Sequence, residues 1–218
     1  MDRVLGIVGA GKLGTTLGLA ASEADWQVLM CDIAPAEVVA MIVETMVPQA
    51  QLVSLPELVA RADIVMLAVP FGLSGQLDYS LLDGKVVLDP MNNWPAVDGD
   101  VAELHGWTGS TTALIAARNP KMRLVKTLNH LGYNDYAADA RSREVANRRA
   151  VAVAADDPGA GELVAQLVDD IGFDPVPVGL DKAKLLEPDG PVFGRWLDAA
   201  SMRQLLLVSA AGSGSDRR

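Results

Sequence analysis

The 218-residue sequence predicts an α/β fold, in which helices pack on both faces of a doubly wound parallel sheet that is followed by a small C-terminal α/β part. Three observations predict it. Short apolar segments alternate with helix-length segments, a glycine-rich loop precedes the first helix, and several apolar segments end in a polar or turn residue. Ligands of open parallel sheets bind beyond the carboxyl ends of the strands, so four strand ends predict one edge of a cleft: Gly9, Asp32, Pro70 and Asp89.

The predicted strands are apolar runs that are too short for helices, at residues 4–8, 28–30, 64–69, 86–88, 123–127, 150–154 and 175–178. The predicted helices cover residues 12–24, 34–47, 111–118, 160–171 and 195–208. The alternation of the two kinds of segment is regular up to about residue 96 and less regular beyond it. Residues 211–218 are rich in glycine and serine, which predicts a disordered tail.

The loop after the first predicted strand fits the pattern G-x-G-x-x-G and consists of Gly9, Ala10, Gly11, Lys12, Leu13 and Gly14. The pattern gains specificity from its context, since it follows a strand, opens a helix and precedes an aspartate at the next strand end. In such a loop the three glycines permit a tight turn, close approach of a pyrophosphate and close packing of the helix on the strand. Amides at the helix start supply further donors to phosphate. The sequence therefore predicts a Rossmann-type dinucleotide-binding domain over residues 1–125 and a small substrate-covering part over residues 126–210.

The aspartate at the second strand end, Asp32, bears on the choice between NAD and NADP. Its carboxylate can accept hydrogen bonds from both ribose hydroxyls of NAD and would repel the 2′-phosphate of NADP. Ile33 follows it, with no arginine to bind that phosphate, so the sequence favours NAD. Two alternatives stay open: Asp32 could cap the helix over residues 34–47, and Lys12 or Arg3 could bind a 2′-phosphate.

Composition limits the other classes of ligand. The formal charge of −10 argues against binding to nucleic acid or to anionic membranes. One cysteine excludes an internal disulfide, and with two histidines a metal site is not expected. No apolar run reaches the roughly 18 residues of a membrane span, and no secretory signal is evident, so we expect a soluble, cytoplasmic protein. A basic cluster is predicted to form a solvated face, with an anionic ligand site as the alternative: Arg141, Arg143, Arg148 and Arg149.

Four segments together point to one family. They are the glycine loop, residues 68–71 (Ala-Val-Pro-Phe), residues 89–93 (Asp-Pro-Met-Asn-Asn) and residues 125–129 (Val-Lys-Thr-Leu-Asn). In this order they resemble the NADP-dependent oxidoreductases of deazaflavin coenzyme F-420, and the similarity runs over nearly the whole chain. The resemblance implies direct hydride transfer between a nicotinamide dinucleotide and a deazaflavin, and often a homodimer. The sequence departs from the family where Asp32 and Ile33 replace a Ser-Arg pair that holds the 2′-phosphate.

The resemblance also implies roles for residues at the later strand ends. Beyond the glycine loop and Asp32, the implied cofactor-binding residues are Ala68, Val69, Pro70, Met91 and Asn92. The first three would border the adenine and nicotinamide sides of the cofactor, and the last two would lie near the nicotinamide. Asn92 could bond the nicotinamide carboxamide, although asparagines beside prolines are also ordinary turn formers.

Residues after the fifth predicted strand are candidates for contact with substrate. Asn129 lies at that strand end, and Phe193 could pack on a flat ring or equally in a core. His130 is a weak candidate for a catalytic proton donor, because a lone histidine is more often structural. Trp94 and Trp107 could line the cleft, and their spacing does not decide between cleft and surface.

Two other functions remain open at the level of sequence. A reductase of a small imine or ketone shares the N-terminal fold but usually adds a helical domain of roughly a hundred residues, for which this chain leaves little room. A non-catalytic dinucleotide-binding redox sensor would bind the same cofactor without passing a hydride to any acceptor.

Overall fold

The computed structural model describes residues 3–212, which form one eight-stranded sheet with helices on both faces. The strands are β1 (Val4–Val8), β2 (Gln27–Cys31), β3 (Gln51–Leu52), β4 (Ile64–Leu67), β5 (Val86–Asp89), β6 (Arg123–Lys126), β7 (Ala150–Ala155) and β8 (Asp174–Val178). The helices are α1 (Lys12–Glu23), α2 (Ala36–Met46), α3 (Leu55–Arg61), α4 (Pro95–Asp98), α5 (Thr111–Arg118), α6 (Asp135–Asp139), α7 (Pro158–Asp170) and α8 (Ala199–Gly212). No helix among these residues has the length and apolar character needed to cross a membrane.

The strand order is β3-β2-β1-β4-β5-β6-β7-β8. The first six strands are parallel, in the order that typifies Rossmann folds, and the strand order reverses between β1 and β4. Strand β7 pairs antiparallel with β6, and β8 runs parallel to β7. The predicted α/β, doubly wound fold class is therefore confirmed as a mostly parallel sheet. The C-terminal strands extend this sheet, and the division at residue 125 stays a prediction.

Helices cover the two faces because their apolar stripes match those of the strands. Leu17 of α1 and Val164 of α7 pack on one face, against strand residues such as Ile7. Leu58 of α3 and Ile115 of α5 pack on the opposite face. Helix α8 packs Met202 and Leu206 onto alanines of β7 in a third cluster. The core thus fixes the sheet from both sides and leaves the carboxyl ends of β1 to β6 free to build a site.

The predicted and observed element bounds differ most at the last helix. It begins at Ala199 rather than at residue 195, because the Asp198 carboxylate accepts the backbone N–H of Ser201 at 2.7 Å and so caps the helix there. The helix continues to Gly212, so residues 211 and 212 are helical rather than part of a tail. The rest of the predicted tail, residues 213–218, lies outside the described residues. Strand β3, with two residues, is too short to leave an apolar pattern in the sequence.

Arg141 and Arg143 of the basic cluster are exposed, as the sequence predicts, whereas Arg148 and Arg149 are buried in ion pairs, which corrects the prediction of a solvated face for these two. Arg148 and Arg149 are buried, at 4% and 3% exposed. Arg148 bonds Asp169 at 2.7 Å, and Arg149 bonds Asp139 at 2.6 Å. Arg143 also pairs with Asp169, and Arg141 donates to backbone carbonyls. The acids that neutralise these arginines lie on α6 and α7, which the sequence pattern does not bring near residues 141–149.

Candidate dinucleotide and substrate site

Two neighbouring cavities open at the carboxyl ends of the parallel strands, on either side of the glycine loop. The acidic cavity, of about 330 Å³, is lined by Asp32 and also by Gly9, Cys31, Ser54 and Gln76. The aromatic cavity, of about 730 Å³, is lined by Trp94, Tyr133 and Phe193 and also by Met91, Asn92 and Asn129. Both cavities share Gly11, Ala68, Val69 and Pro70. Three of the four strand ends that the sequence singled out, Gly9, Asp32 and Pro70, therefore line these cavities, whereas Asp89 is buried and lines neither of them.

The three glycines of the loop are required for different reasons. Gly9 has φ +114°, and a Cβ there would overlap the Ala68 carbonyl. A Cβ on Gly14 would overlap the Gly9 carbonyl oxygen. Gly11 has an ordinary φ of −74°, and no atom lies within 4 Å of the place where its Cβ would stand. The fold therefore needs Gly9 and Gly14, whereas the open space at Gly11 suits a ligand that approaches the backbone.

Helix α1 begins at this open space, and neither a capping side chain nor an acidic residue stands at its N-terminus. Its N-cap, Gly11, offers no side-chain acceptor, and no acid stands in the first turn. The first residue of the helix is Lys12, whose Nζ lies 4.7 Å from the ring centroid of Tyr133. A cation at the positive end of a helix dipole is unfavourable unless an anion binds there. The uncapped helix start and Lys12 thus form an electropositive corner that fits a pyrophosphate.

Asp32 is tied to the glycine loop rather than to the following helix. Its carboxylate accepts the backbone N–H of Ala10 at 2.6 Å and that of Ala34 at 2.9 Å. Helix α2 has Pro35 as its N-cap and no side-chain cap, so Asp32 does not cap it. Each carboxylate oxygen keeps a lone pair that can accept a hydroxyl. The half-buried carboxylate therefore remains able to bind a ribose at the floor of the acidic cavity.

The two side chains that the sequence offered as partners of a 2′-phosphate lie elsewhere. Arg3 pairs with Asp170 at 3.4 Å and stacks on Trp26, at the opposite end of β1. Lys12 lines the aromatic cavity instead. Among residues 3–212, no lysine or arginine lines the acidic cavity. The charge of this cavity is therefore set by Asp32.

Asn92 and Asn129 form a pair on the wall of the aromatic cavity. The Asn92 amide donates to the Asn129 carbonyl at 2.6 Å, and the Asn129 amide donates to Asn92 Oδ1 at 3.0 Å. Asn129 also donates to the Leu186 carbonyl at 2.7 Å. These bonds hold the turn after β5 against the segment after β6, and they leave one N–H of Asn92 for a ligand.

Three aromatic side chains line the larger cavity. The rings of Trp94 and Phe193 meet edge to face, with centroids 5.8 Å apart and an interplanar angle of 64°. Tyr133 lies on the same cavity beside Lys12. Sequence reasoning named Phe193, left Trp94 undecided and missed Tyr133, whose only signal is its place just beyond the end of β6. Trp107 lines neither described cavity, and its indole donates to the Ser110 carbonyl at 3.0 Å.

His130 does not reach either cavity, so we do not assign it the role of proton donor. It is 1% exposed, and burial, helped by the positive charges of Arg149 and Lys126, lowers its pKa to about 3. Its Nε2 faces the backbone N–H of Ala152 at 3.4 Å. A neutral imidazole in the core of the C-terminal part is therefore a packing group.

The acids of the aromatic cavity are engaged in holding loops. Asp98 accepts the backbone N–H of Trp94 at 2.6 Å and that of Gly72 at 2.9 Å. Asp135 accepts the N–H of Gly132 at 2.8 Å and pairs with Arg149. Among the described residues, the cavity contains no nucleophile with an adjacent base and no group of three potential metal ligands.

Comparison with known proteins gives one family. Residues 4–93 match the family described as NADP oxidoreductase, coenzyme F420-dependent. These residues include the glycine loop, the whole acidic cavity and the turn after β5. A search of curated proteins gave no match to the sequence.

Solved structures share the fold at low sequence identity. A hypothetical protein from Sinorhizobium meliloti has a TM-score of 0.72 at 22% identity, over 91% of this chain and 96% of that one. A protein from Arthrobacter sp. FB24 that is assigned as an F420-dependent NADP reductase has a TM-score of 0.67 at 20% identity, over 96% and 93%. An imine reductase variant from Myxococcus stipitatus, in complex with NAD⁺, has a TM-score of 0.58 at 18% identity. That alignment covers 98% of this chain but 62% of the imine reductase.

These structures support the fold, and the family match shows what residues 4–93 are similar to. The similarity that the sequence motifs indicated is thereby confirmed for this part of the chain. The chain thus has a Rossmann-type α/β fold, and its residues 4–93 resemble those of the coenzyme F420-dependent NADP oxidoreductases.

Proposed function

We propose that the chain transfers a hydride between NAD(H) and a planar deazaflavin-type coenzyme. The observation that carries this proposal is an aromatic cavity of about 730 Å³ that continues directly from the glycine loop and offers walls of apolar and aromatic side chains. When bound, the nicotinamide dinucleotide would supply or accept the hydride at its ring. The protein would bring two flat rings together, exclude water and add no acid or base of its own.

The dinucleotide would lie across the ridge that the two cavities share, formed by Gly11, Ala68, Val69 and Pro70. Its pyrophosphate would bind at the open space above Gly11, at the uncapped start of α1 and beside Lys12. The adenosine would enter the acidic cavity, and the nicotinamide would enter the aromatic one, next to Met91 and Asn92. The remaining residues of the glycine loop, Gly9, Ala10, Leu13 and Gly14, would shape the backbone around the bound pyrophosphate.

The acidic cavity supports NAD(H) over NADP(H). Asp32 would accept the two ribose hydroxyls, while its charge would repel a 2′-phosphate. No basic side chain of the described residues lines this cavity to offset that repulsion. We therefore propose that the chain prefers NAD(H), although the matched family is described as NADP oxidoreductases.

The second substrate would stack in the remaining part of the aromatic cavity. Trp94, Tyr133 and Phe193 present flat surfaces that suit a tricyclic ring, and Asn129 offers polar contacts at its edge. A deazaflavin accepts a hydride on carbon and a proton from water, so it needs no protein acid. This agrees with a cavity whose two aspartates are engaged with backbone amides.

Reduction of a small imine or ketone is the second candidate, since imine reductases share the fold. About two fifths of the matched imine reductase has no counterpart here, because the alignment covers 62% of its length. A small imine would also leave much of the aromatic cavity unfilled. We therefore rank this candidate below the deazaflavin. A homodimer, which the family resemblance implies, stays a prediction.

The proposal is tested by mixing the protein with oxidised deazaflavin coenzyme and either NADH or NADPH, and by following the loss of deazaflavin absorbance. We expect rapid bleaching with NADH and slower bleaching with NADPH. The same assay with a cyclic imine in place of the deazaflavin, followed at the NADH absorbance, tests the second candidate. Tight binding of NADH without oxidation by either acceptor would contradict both and would favour a redox sensor.

A further inference from the structure

A buried ion pair lies beneath the turn that forms one wall of the aromatic cavity. Asp89 is the last residue of β5 and Lys126 the last of β6, and the sheet register places them side by side. Their side chains are 1% and 0% exposed, and Lys126 Nζ lies 3.3 Å from Asp89 Oδ2. Neither residue lines a described cavity, although the sequence pattern predicts Asp89 as part of the cleft edge.

The pair holds both backbone polar groups of Met91. Asp89 Oδ1 accepts the Met91 N–H at 3.0 Å, and the Lys126 ammonium donates to the Met91 carbonyl oxygen. Thr112, at the start of α5, donates its hydroxyl at 2.8 Å to Asp89 Oδ2, the same oxygen that faces Lys126. Met91 and its neighbours Pro90 and Asn92 line the cavity, so the ion pair sets where this wall stands.

Stability does not explain why a charged pair occupies this position. Two charges removed from water gain little net free energy from each other, and apolar residues of similar volume often serve as well or better. Strand β6 also carries a pair at its amino end, where Arg123 bonds Asp157 at 2.9 Å through two nitrogens. That pair is about 40% exposed and far from both cavities. The same strand thus offers a matched pair for comparison.

We propose that Lys126 and Asp89 are positioning residues for the nicotinamide end of the cofactor, a role that rests on the proposed function. They act through the Met91 backbone and do not touch the cofactor. The pair keeps the wall formed by residues 90–92 at the distance that a nicotinamide ring requires. The adenosine and pyrophosphate contacts, which other segments supply, are independent of it.

The test compares two ligands that differ in the nicotinamide end: NADH and ADP-ribose. In the double variant Asp89→Asn/Lys126→Met both charges are removed, and the asparagine can still accept the Met91 N–H. Dissociation constants are measured by titration calorimetry, without any hydride acceptor. We expect NADH to bind about tenfold more weakly and ADP-ribose to change by less than about twofold. The control Arg123→Met/Asp157→Asn should leave both constants unchanged.

Equal weakening of both ligands would overturn the proposal, since it would indicate general loss of structure. Unchanged binding of both would overturn it as well. If the double variant does not fold, Thr112→Val removes one bond to Asp89 in an otherwise intact pair, and it should weaken NADH alone, by a smaller factor. Absence of deazaflavin reduction in the wild-type protein would contradict the proposed acceptor and leave this ligand comparison valid.

Discussion

The acidic and aromatic cavities share a ridge but differ in how the chain builds them. Every residue of the acidic cavity lies between positions 8 and 77, within successive strand and helix units of the N-terminal part. The aromatic cavity draws on segments from position 11 to position 194. The first is a local product of a βαβ motif, and the second depends on the packing of distant segments. We infer that the choice between NAD and NADP and the choice of acceptor are carried by separable parts of the molecule.

The largest effect is expected at the shared ridge. In Gly11→Ala the new methyl group meets no protein atom, so the free energy of unfolding should stay unchanged. The methyl group would stand where the pyrophosphate approaches. We therefore expect NADH and ADP-ribose to bind on the order of a hundredfold more weakly. Calorimetry and thermal denaturation measure the two effects. Gly14→Ala, whose methyl group overlaps the Gly9 carbonyl, should fail to fold, whereas wild-type affinity in Gly11→Ala would contradict the assignment of the ridge.

A change confined to the acidic cavity should alter the choice of cofactor alone. In Asp32→Ser/Ile33→Arg a repelling carboxylate is removed and a guanidinium is supplied for the 2′-phosphate. We expect the ratio of NADPH to NADH affinity to rise by about a hundredfold, with the affinity for the acceptor unchanged. Binding titrations with both nucleotides measure this ratio. An unaltered ratio would remove the role that we propose for Asp32.

A change confined to the aromatic cavity should have the reverse selectivity. Trp94→Leu removes the ring that meets Phe193, and we expect the KM for deazaflavin to rise about fivefold while the Kd for NADH stays constant. Trp107→Leu is the matched control, because Trp107 is 43% exposed, close to the 41% of Trp94, and lines neither described cavity. Equal effects of the two variants would indicate that Trp94 has no special contact with the acceptor.

The smallest effect concerns His130, which lies outside both cavities. Burial lowers its pKa from 6.5 to about 3, so the unfolded chain binds a proton at a higher pH than the folded chain. The resulting stability is fully present above pH 6.5 and is lost as the pH falls from there towards the folded pKa. In His130→Gln, urea unfolding should reveal a smaller fall in stability between about pH 7 and about pH 5. An identical fall in the variant would contradict a neutral, buried imidazole.

Local patterns in the sequence predict the acidic cavity well. The strand, glycine loop and helix that carry Gly9, Gly11 and Gly14 are contiguous, so their spacing alone fixes their geometry. Asp32 follows the next strand, which the same motif places beside the first. Among the first six strands, each strand is followed along the chain by its neighbour in the sheet, except that the chain passes from β3 back across β1 to β4.

Long-range packing is what the sequence could not supply. Strand β7 pairs antiparallel with β6. The segment that connects them, residues 127–149, has no helical pattern long enough for the crossover that a parallel pair requires. The meeting of Trp94, Tyr133 and Phe193 depends on three loops from distant parts of the chain. The sequence predicts Asp89 as a cleft acid, and only the register of β5 with β6 places it against Lys126 in the core.

The central claim is direct hydride transfer from NADH to a deazaflavin, and the most direct test follows the transferred hydrogen with an isotope label. NADH carrying deuterium on one face or the other of nicotinamide C4 is mixed with excess oxidised deazaflavin, and the reduced coenzyme is analysed by mass spectrometry. The account predicts that deuterium enters the deazaflavin from one of the two labelled cofactors and not from the other, because the walls of the aromatic cavity hold the rings in one stacking order. Reduced deazaflavin without deuterium from either cofactor, or no reduction at all, would contradict it.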